Sequence, residues 1–494
     1  MIKTRFAPSP TGYLHVGSLR TALYSYLFAK KNGGNFILRI EDTDRERYVA
    51  DGIENILKSL NWAGVKPDEG VMMDEMGKIF QKGDCGGSYI QSERLEIYRK
   101  YVDELLEKDQ AYYCFCTSER LDELRQFQQL NKLPTGYDKH CREIPLEEAK
   151  KRVAMGEKYV VRMKMPLNGE TVFNDVVKGE VRIKNELVDD QVILKSDGFP
   201  TYHLAVVVDD HSMGVTHIIR GDEWISSVPK HINLYQMFGW EVPVMAHLPL
   251  LLNSDKSKLS KRQGDVSVED YRKKGYLPEA MINFVAFLGW NPGDEREFFT
   301  LEELTKEFSL EKIGKSGAVF NLEKLDWYNA HYIRELQGED LLKRAIPFIL
   351  QSGLMSETEI NNKKDWLLKA LNLGKERANT LVELAENIAF LLKTPDYQKE
   401  LLVWKKGNIE EVKTILPELK ALLNNFSVQD FEATTLQEKV GEWVIQKGYS
   451  NGSVLWPWRV ALSGMEKSPP PFEIAQVLGK EDVVKRIEEA LSKL

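Results

Sequence analysis

The stretch Pro8-Ser9-Pro10-Thr11-Gly12-Tyr13-Leu14-His15-Val16-Gly17-Ser18 decides how this chain is read. Before it, Lys3 to Ala7 has the texture of a short strand. After it, Val16, Leu19, Leu23, Tyr26 and Leu27 recur at helical spacing between His15 and Lys30, and Gly33-Gly34 supplies the stop. With a buried strand over Asn35 to Ile40, this is the opening unit of a parallel α/β sheet. The start of such a helix presents unpaired N–H groups and a positive dipole end, which suits a phosphate. His15 in the first turn offers a donor to a phosphoryl oxygen, and Gly17 leaves room for an adenine or ribose against the backbone. Taken alone, the turn reads as a capped helix with an incidental histidine, and its weight comes from the company it keeps.

Outward from this turn, helices fit Ile53 to Leu60 and Arg94 to Leu106. Around Ala111 the texture changes. Tyr112-Tyr113-Cys114-Phe115-Cys116 leads into a charged helical segment, and Tyr159 to Met165 and Val172 to Val177 then alternate like strands, as in an inserted module. Parallel α/β logic resumes at Phe199, with a helix over His203 to Asp209, a strand over Thr216 to Ile219 and a helix over Val228 to Phe238. Beyond about Phe320 the chain turns helical to its end, broken only by Ser468-Pro469-Pro470-Pro471. The expected class is α/β: a Rossmann-type parallel nucleotide-binding fold split by an inserted α+β module, followed by all-helical C-terminal domains.

Composition narrows the function classes. At 494 residues the chain exceeds what one core supports, and 43% hydrophobic with 29% charged residues is a globular balance. The longest apolar stretches, Leu204 to Val208 and His247 to Leu252, fall well short of the ~20 residues that span a bilayer. No membrane partner is expected. Met1 leads straight into the first strand without a secretory pattern, so the expected location is the cytoplasm. Four unevenly placed cysteines do not make a disulfide framework. A net charge of -8 argues against a wholly nucleic-acid-attracting surface, while a specific RNA partner stays compatible.

Three further constellations carry chemistry. Lys256-Ser257-Lys258-Leu259-Ser260-Lys261-Arg262 is a basic loop of the kind that follows charge building on leaving phosphates; by itself it reads equally as a solvated loop. Arg5, Glu41 and Arg220 fall at the ends of expected strands, with Tyr202 at a helix start. An amino acid with two carboxylates and one ammonium wants two arginines and one acid, whereas the plain alternative is ordinary ion pairing. Finally, Cys114-x-Cys116 is echoed by Cys141-x-Glu143. Three thiolates with Glu143 would close a structural zinc site, with Tyr137 or His140 as alternative fourth ligands; buried cysteines acting as small hydrophobes are the competing reading.

Together these residues give the chain a resemblance to bacterial-type glutamyl-tRNA synthetases, class I aminoacyl-tRNA synthetases, through residues 1 to about 335. Arg5 to Gly12 followed by His15-Val16-Gly17-Ser18 looks like that family's first ATP signature, and Lys258-Leu259-Ser260-Lys261-Arg262 like its second. Ile40-Glu41-Asp42-Thr43-Asp44, Pro200-Thr201-Tyr202-His203 and Ile219-Arg220-Gly221-Asp222-Glu223 are similar to the stretches that hold the amino acid. The family pattern departs at Val206, where some members carry an asparagine, and at Glu143, where histidine is common.

The resemblance implies that glutamate is activated by ATP to glutamyl-adenylate, with magnesium on the phosphates, and passed to the 3'-terminal adenosine of a transfer RNA. By similarity, His15, Lys258 and Lys261 are catalytic, and Ser9, His15, Gly17, Ser18, Lys258, Ser260 and Lys261 bind ATP. Arg5, Ala7, Ser9, Glu41, Tyr202 and Arg220 bind glutamate. It also implies a division into a catalytic domain (1–92 and 198–245), an acceptor-binding insertion (93–197), a stem-contact region (246–335) and helical anticodon-binding domains at 336–398 and 399–494. Arg377 is a candidate for reading the anticodon. The expected partners are tRNA-Glu, with tRNA-Gln open, and the expected state is a monomer. Competing readings are a glutaminyl enzyme, a short relative that glutamylates a tRNA base, a metabolic nucleotidyltransferase and a non-catalytic RNA-binding protein. About 160 residues beyond Arg334 and the paired ATP signatures count against the last three.

Overall fold

The computed structural model describes residues 1–259, 267–405 and 407–494. Ser260, Lys261 and Arg262 of the basic loop lie outside the described residues. In chain order the strands used below are β1 (Lys3–Phe6), β2 (Asn35–Leu38), β3 (Glu69–Met73), β4 (Ile79–Lys82), β5 (Ala111–Cys114), β6 (Val160–Met163), β7 (Glu170–Asp175), β8 (Gly179–Lys184), β9 (Val192–Leu194), β10 (His217–Gly221) and β11 (Val244–Leu248).

Among the described residues, eight of them form one sheet in the order β4-β3-β2-β1-β10-β11-β7-β8. From β3 through β2, β1, β10 and β11 to β7 the neighbours are parallel; β4 and β8 close the two edges as antiparallel hairpin partners. The inner strands are buried on both faces, which is why they read as short apolar runs: Phe36, Ile37 and Leu38 of β2 are sealed from solvent. Helix Val16–Lys31 carries the chain from β1 to β2 and buries Leu19, Ala22, Leu23 and Leu27. From β1 the order runs outward to β2 and β3 on one side and to β10 and β11 on the other. The crevice beyond the carboxyl ends of β1 and β10 is therefore the topological switch point, where open α/β sheets bind ligands.

The segment expected as one inserted module, 93–197, divides in two. Strands β5, β6 and β9 form a separate antiparallel sheet, but the β7–β8 hairpin joins the large one. Val176 N donates to Met245 O at 2.9 Å, and Phe173 packs against Val228, Ile232 and Met245. The alternation in β7 buries Thr171, Phe173 and Asp175 on one side, where Val228 and Ile232 of helix Val228–Phe238 cover Phe173.

The chain separates into two compact units, one of residues 1–272 with 281–322 and one of 273–280 with 323–494. The stem-contact region expected at 246–335 is thus shared between units. The segments 336–398 and 399–494 lie in a single unit. A physical reason is Arg486 in helix Pro471–Ser492: its buried guanidinium donates to Phe390 O at 2.8 Å and Leu391 O at 3.2 Å, stitching the last helix to the end of helix Leu381–Leu392. Trp366 Nε1 adds a bond to Val477 O at 2.9 Å. Among the described residues no helix is long and apolar enough to cross a membrane.

Candidate active site

A cavity of about 910 Å³ opens at the switch point. Arg5, Ala7, Ser9, His15, Gly17, Ser18, Glu41, Tyr202, Arg220 and Lys258 all line it. The end of β1 delivers Arg5, the turn after it Ala7 and Ser9, the end of β10 Arg220, and the start of helix Tyr202–Ser212 its first residue.

His15 sits differently from its expected place inside the helix. It is the N-cap, with an extended backbone, and its ring turns back over the first turn. Nδ1 accepts from Gly17 N at 3.0 Å and Ser18 N at 3.3 Å, which puts the ring proton on Nε2, 3.0 Å from Ser18 Oγ. Two helix N–H groups expected to face an anion are thus occupied by the imidazole. The need for Gly17 follows from the same ring: a Cβ there would stand 2.9 Å from His15 Cε1. In this structure the space beside Gly17 is filled by the histidine.

Arg220 is the hub of the opposite wall. Its side chain is nearly sealed from solvent, yet among the described residues it forms no salt bridge. Nε donates to His247 Nε2 at 3.1 Å, Nη1 to the Tyr202 hydroxyl at 3.0 Å and Nη2 to His231 Nδ1 at 3.2 Å. Behind these, His247 Nδ1 is 2.6 Å from Asp175 Oδ2, and His231 Nε2 is 3.1 Å from His203 Nδ1. Burial, reinforced by the neighbouring Arg220 cation, holds His231 well below the usual histidine range. Burial with Lys230 and Arg220 nearby takes His203 down to about 3. Burial likewise lowers His247, with Asp175 pulling the other way. All three imidazoles are neutral at pH 7. Tyr202 also packs on Trp224, ring centroids 4.4 Å apart, a cavity-lining residue that the sequence did not single out.

Arg5 and Glu41 belong to a buried ion network. Asp210 accepts from Arg5 Nε at 3.1 Å and Arg39 Nη1 at 2.7 Å, while Arg39 Nη2 donates to Glu41 at 2.9 Å. Asp209 anchors the far side through Arg94 Nε at 2.8 Å, Gln91 Nε2 at 2.9 Å and the Tyr98 hydroxyl. Burial opposes ionisation of Asp210, but Arg5 and Arg39 outweigh it and hold the carboxyl below its usual range. Glu41 goes the other way, because burial exceeds the pull of Arg39. Sequence reading missed Asp209 and Asp210, whereas the Arg39–Glu41 pair is the ordinary ion pairing, within Arg39 to Arg45, that it held as the plain alternative. The adjacent acids on an otherwise apolar helix, Val206-Val207-Val208-Asp209-Asp210, were the available signal. Val206 itself packs in the core.

At the end of β5 the sulfurs of Cys114, Cys116 and Cys141 all lie within 4.8 Å of one another, and Cys116 and Cys141 are 3.6 Å apart. Glu143 and His140 are exposed and stand outside this cluster. Tyr137 stands beside the sulfurs: its hydroxyl is 3.3 Å from Cys114 Sγ, 3.5 Å from Cys116 Sγ, and accepts from Cys141 N at 3.0 Å. Hydrogen bonding from Cys141, against burial, draws the Cys114 thiol below its usual range. In the helical unit, Arg377 is exposed just past helix Lys364–Lys375. Its charge lowers the pKa of Arg459, already reduced by burial, and the Arg459 guanidinium lies 4.6 Å over the Trp456 ring.

Residues 1–327 match the family "tRNA synthetases class I (E and Q), catalytic domain", and residues 340–491 match an anticodon binding domain. The glutamate–tRNA ligase of Finegoldia magna is 48% identical, covering 100% of this chain and 99% of its own. That of Clostridioides difficile is 46% identical, covering 98% of each. The crystal structure of a glutamate tRNA ligase from Elizabethkingia meningosepticum in complex with its amino acid superposes with a TM-score of 0.87 at 36% identity, covering 100% and 99%. With the switch-point cavity, its signature residues and these full-length matches together, the chain belongs to the glutamate–tRNA ligase family of class I tRNA synthetases.

Proposed function

We propose that this chain activates glutamate with ATP and esterifies it to a transfer RNA, and that the switch-point cavity is where both steps occur. An oxygen of the glutamate α-carboxylate attacks the α-phosphorus of ATP, the bond to pyrophosphate breaks, and glutamyl-adenylate forms. A hydroxyl of the 3'-terminal adenosine then attacks the acyl carbon and AMP leaves. Neither step needs a protein nucleophile; positioning and charge stabilisation suffice.

The observation that carries this reading is Arg220, a buried guanidinium on the cavity wall held by three neutral acceptors and by no carboxylate among the described residues. Such a cation is satisfied by an anionic ligand, and the side-chain carboxylate of glutamate meets it where the amide of glutamine does not. Arg5 and Tyr202 complete that end, and Ala7, Ser9 and Glu41 take the amino end. His15, Ser18, Lys258, Ser260 and Lys261 take ATP and its phosphates, with magnesium arriving on the nucleotide, and Gly17 serves that end by leaving room for the His15 ring. The Nε2–H of His15 meets Ser18 Oγ at 3.0 Å, and both residues line the cavity.

Zinc fits the cysteine cluster. Tetrahedral Zn–S bonds of about 2.3 Å put sulfurs roughly 3.8 Å apart, close to the Cys116–Cys141 separation. Cys114, Cys116 and Cys141 would hold it with Tyr137 beside them, and its contribution would be structural. The segment carrying that cluster is assigned to the tRNA acceptor end, and the helical unit with Arg377 to the anticodon of tRNA-Glu, the chain acting as a monomer.

The test is ATP–pyrophosphate exchange with glutamate and with glutamine, run with and without tRNA, followed by charging of purified tRNA-Glu and tRNA-Gln. Glutamate-dependent exchange and charging of tRNA-Glu are expected. Exchange driven equally well by glutamine would overturn the reading of Arg220.

A further inference from the structure

Arg5 and Arg220 face the same cavity but are backed in opposite ways. Arg5 leans on a carboxylate, Asp210, whereas Arg220 leans on two imidazoles and a phenol. The difference decides how much positive charge each presents. A carboxylate behind Arg220 would form an internal salt bridge and meet the cation before substrate arrives. A neutral nitrogen accepts the same hydrogen bond and leaves the charge in place.

The proton positions around Arg220 follow from one fact: a guanidinium only donates. His247 Nε2 must accept, so its proton is on Nδ1, aimed at Asp175 Oδ2 at 2.6 Å. Asp175 is fixed in turn by the backbone N–H groups of Val177 at 3.0 Å, Lys178 at 2.9 Å and His247 at 3.1 Å. His231 Nδ1 must also accept, so its proton is on Nε2 and goes to His203 Nδ1 at 3.1 Å. Every member has a donor meeting an acceptor, and Asp175, His247 and His231 are almost wholly buried. The three contacts occupy Nε and one N–H on each terminal nitrogen. One N–H on each of Nη1 and Nη2 is left over, the pair that grips a carboxylate with two parallel bonds.

We infer that His247 and His231 are positioning residues for substrate choice: as neutral acceptors they fix the plane of the Arg220 guanidinium without cancelling its charge, and so set the preference for a carboxylate over an amide. This rests on the assignment of Arg220 to the glutamate side chain. Asp175 and His203 act one step further out, by holding each imidazole in the tautomer that accepts.

Position 231 allows a nearly isosteric test. In His231→Gln the acceptor remains and is neutral; in His231→Glu it becomes a carboxylate. Steady-state exchange assays should show His231→Gln within a few-fold of the parent in KM for glutamate. His231→Glu should raise that KM roughly 10- to 100-fold, the scale of one charge-assisted contact, with KM for ATP little changed. Its ratio of glutamate to glutamine use should fall by a similar factor. Equal glutamate KM in the Gln and Glu variants, with Arg220→Ala still crippled for glutamate, would overturn the positioning role and leave the site assignment standing. An Arg220→Ala enzyme with parental glutamate KM would overturn the assignment itself. Thermal melts accompany each variant. Should His231→Glu fail to fold, His231→Leu replaces it: a raised glutamate KM with a retained melt supports the inference, and an unchanged KM rejects it.

Discussion

Arg5 Nε donates to Asp210 Oδ1 at 3.1 Å, with both side chains almost sealed from solvent, and this pair couples the first strand of the sheet to the helix 205 residues further on. The same carboxylate holds Arg39 at 2.7 Å. Removing it takes from buried Arg5 the carboxylate it leans on and leaves Arg39 with Glu41 at 2.9 Å and Asp209 at 3.7 Å. We expect Asp210→Ala to destabilise the first unit by roughly 3–5 kcal/mol, the cost of breaking a buried pair from one side. Any folded fraction should show a raised KM for glutamate as Arg5 loses its support. Denaturant melts measure the first effect and exchange kinetics the second; a change below 1 kcal/mol would mean that water replaces the carboxylate.

Arg220→Ala should abolish glutamate activation while leaving ATP binding nearly intact. The lost contact is a charge-assisted pair worth roughly 1.5–3 kcal/mol or more in a buried site. Equilibrium binding of ATP and glutamate, measured separately on the variant, separates this outcome from general damage.

The cysteine cluster should carry about one zinc per chain by elemental analysis. Cys114→Ser should lose it. Glu143→Ala should keep it, because Glu143 is exposed and lies outside the cluster. Metal-free protein that melts and charges tRNA normally would identify the cysteines as packing residues.

Acid should weaken the first unit before it weakens the fold at large. His203, held at about 3 in the folded chain against an ordinary 6.5, binds a proton more readily when unfolded. His231 and His247 are shifted the same way. A histidine depressed on folding imposes no penalty above 6.5, and stability then falls as pH drops towards the folded value, by up to about 1.4 kcal/mol per unit for a fully shifted group. The melting temperature should therefore drop between pH 6.5 and 4. In a His203→Gln variant that slope should be shallower.

Lys261, if it meets the phosphates mainly as charge develops on pyrophosphate, contributes to the transition state and hardly to the ground state. Lys261→Ala should lower kcat for activation by about two orders of magnitude, with a small change in KM for ATP. Preformed glutamyl-adenylate should still acylate tRNA at close to the normal rate. Normal activation with poor tRNA binding would make the loop an RNA contact.

Sequence alone determined the elements that flank the switch point and ten of the residues that line its cavity, but not β3, β4, β8 or β9. Local periodicity marks strand and helix because each must bury a face, so β1, helix Val16–Lys31, β2 and helix Val228–Phe238 were legible within a residue or two. The strand-end residues Arg5, Glu41 and Arg220 were legible because parallel sheets bind ligands there. Partnership was not legible, since it joins residues far apart in the chain. Only the tertiary structure decided that the β7–β8 hairpin joins the main sheet, that His15 caps its own helix, that Tyr137 rather than Glu143 stands with the cysteines, and that Asp210 backs Arg5 while histidines back Arg220. The physical reason is that a buried polar group must find a partner in space. Which one it finds, a carboxylate 205 residues away for Arg5 or an imidazole 27 residues away for Arg220, depends on where the sheet brings the chain back.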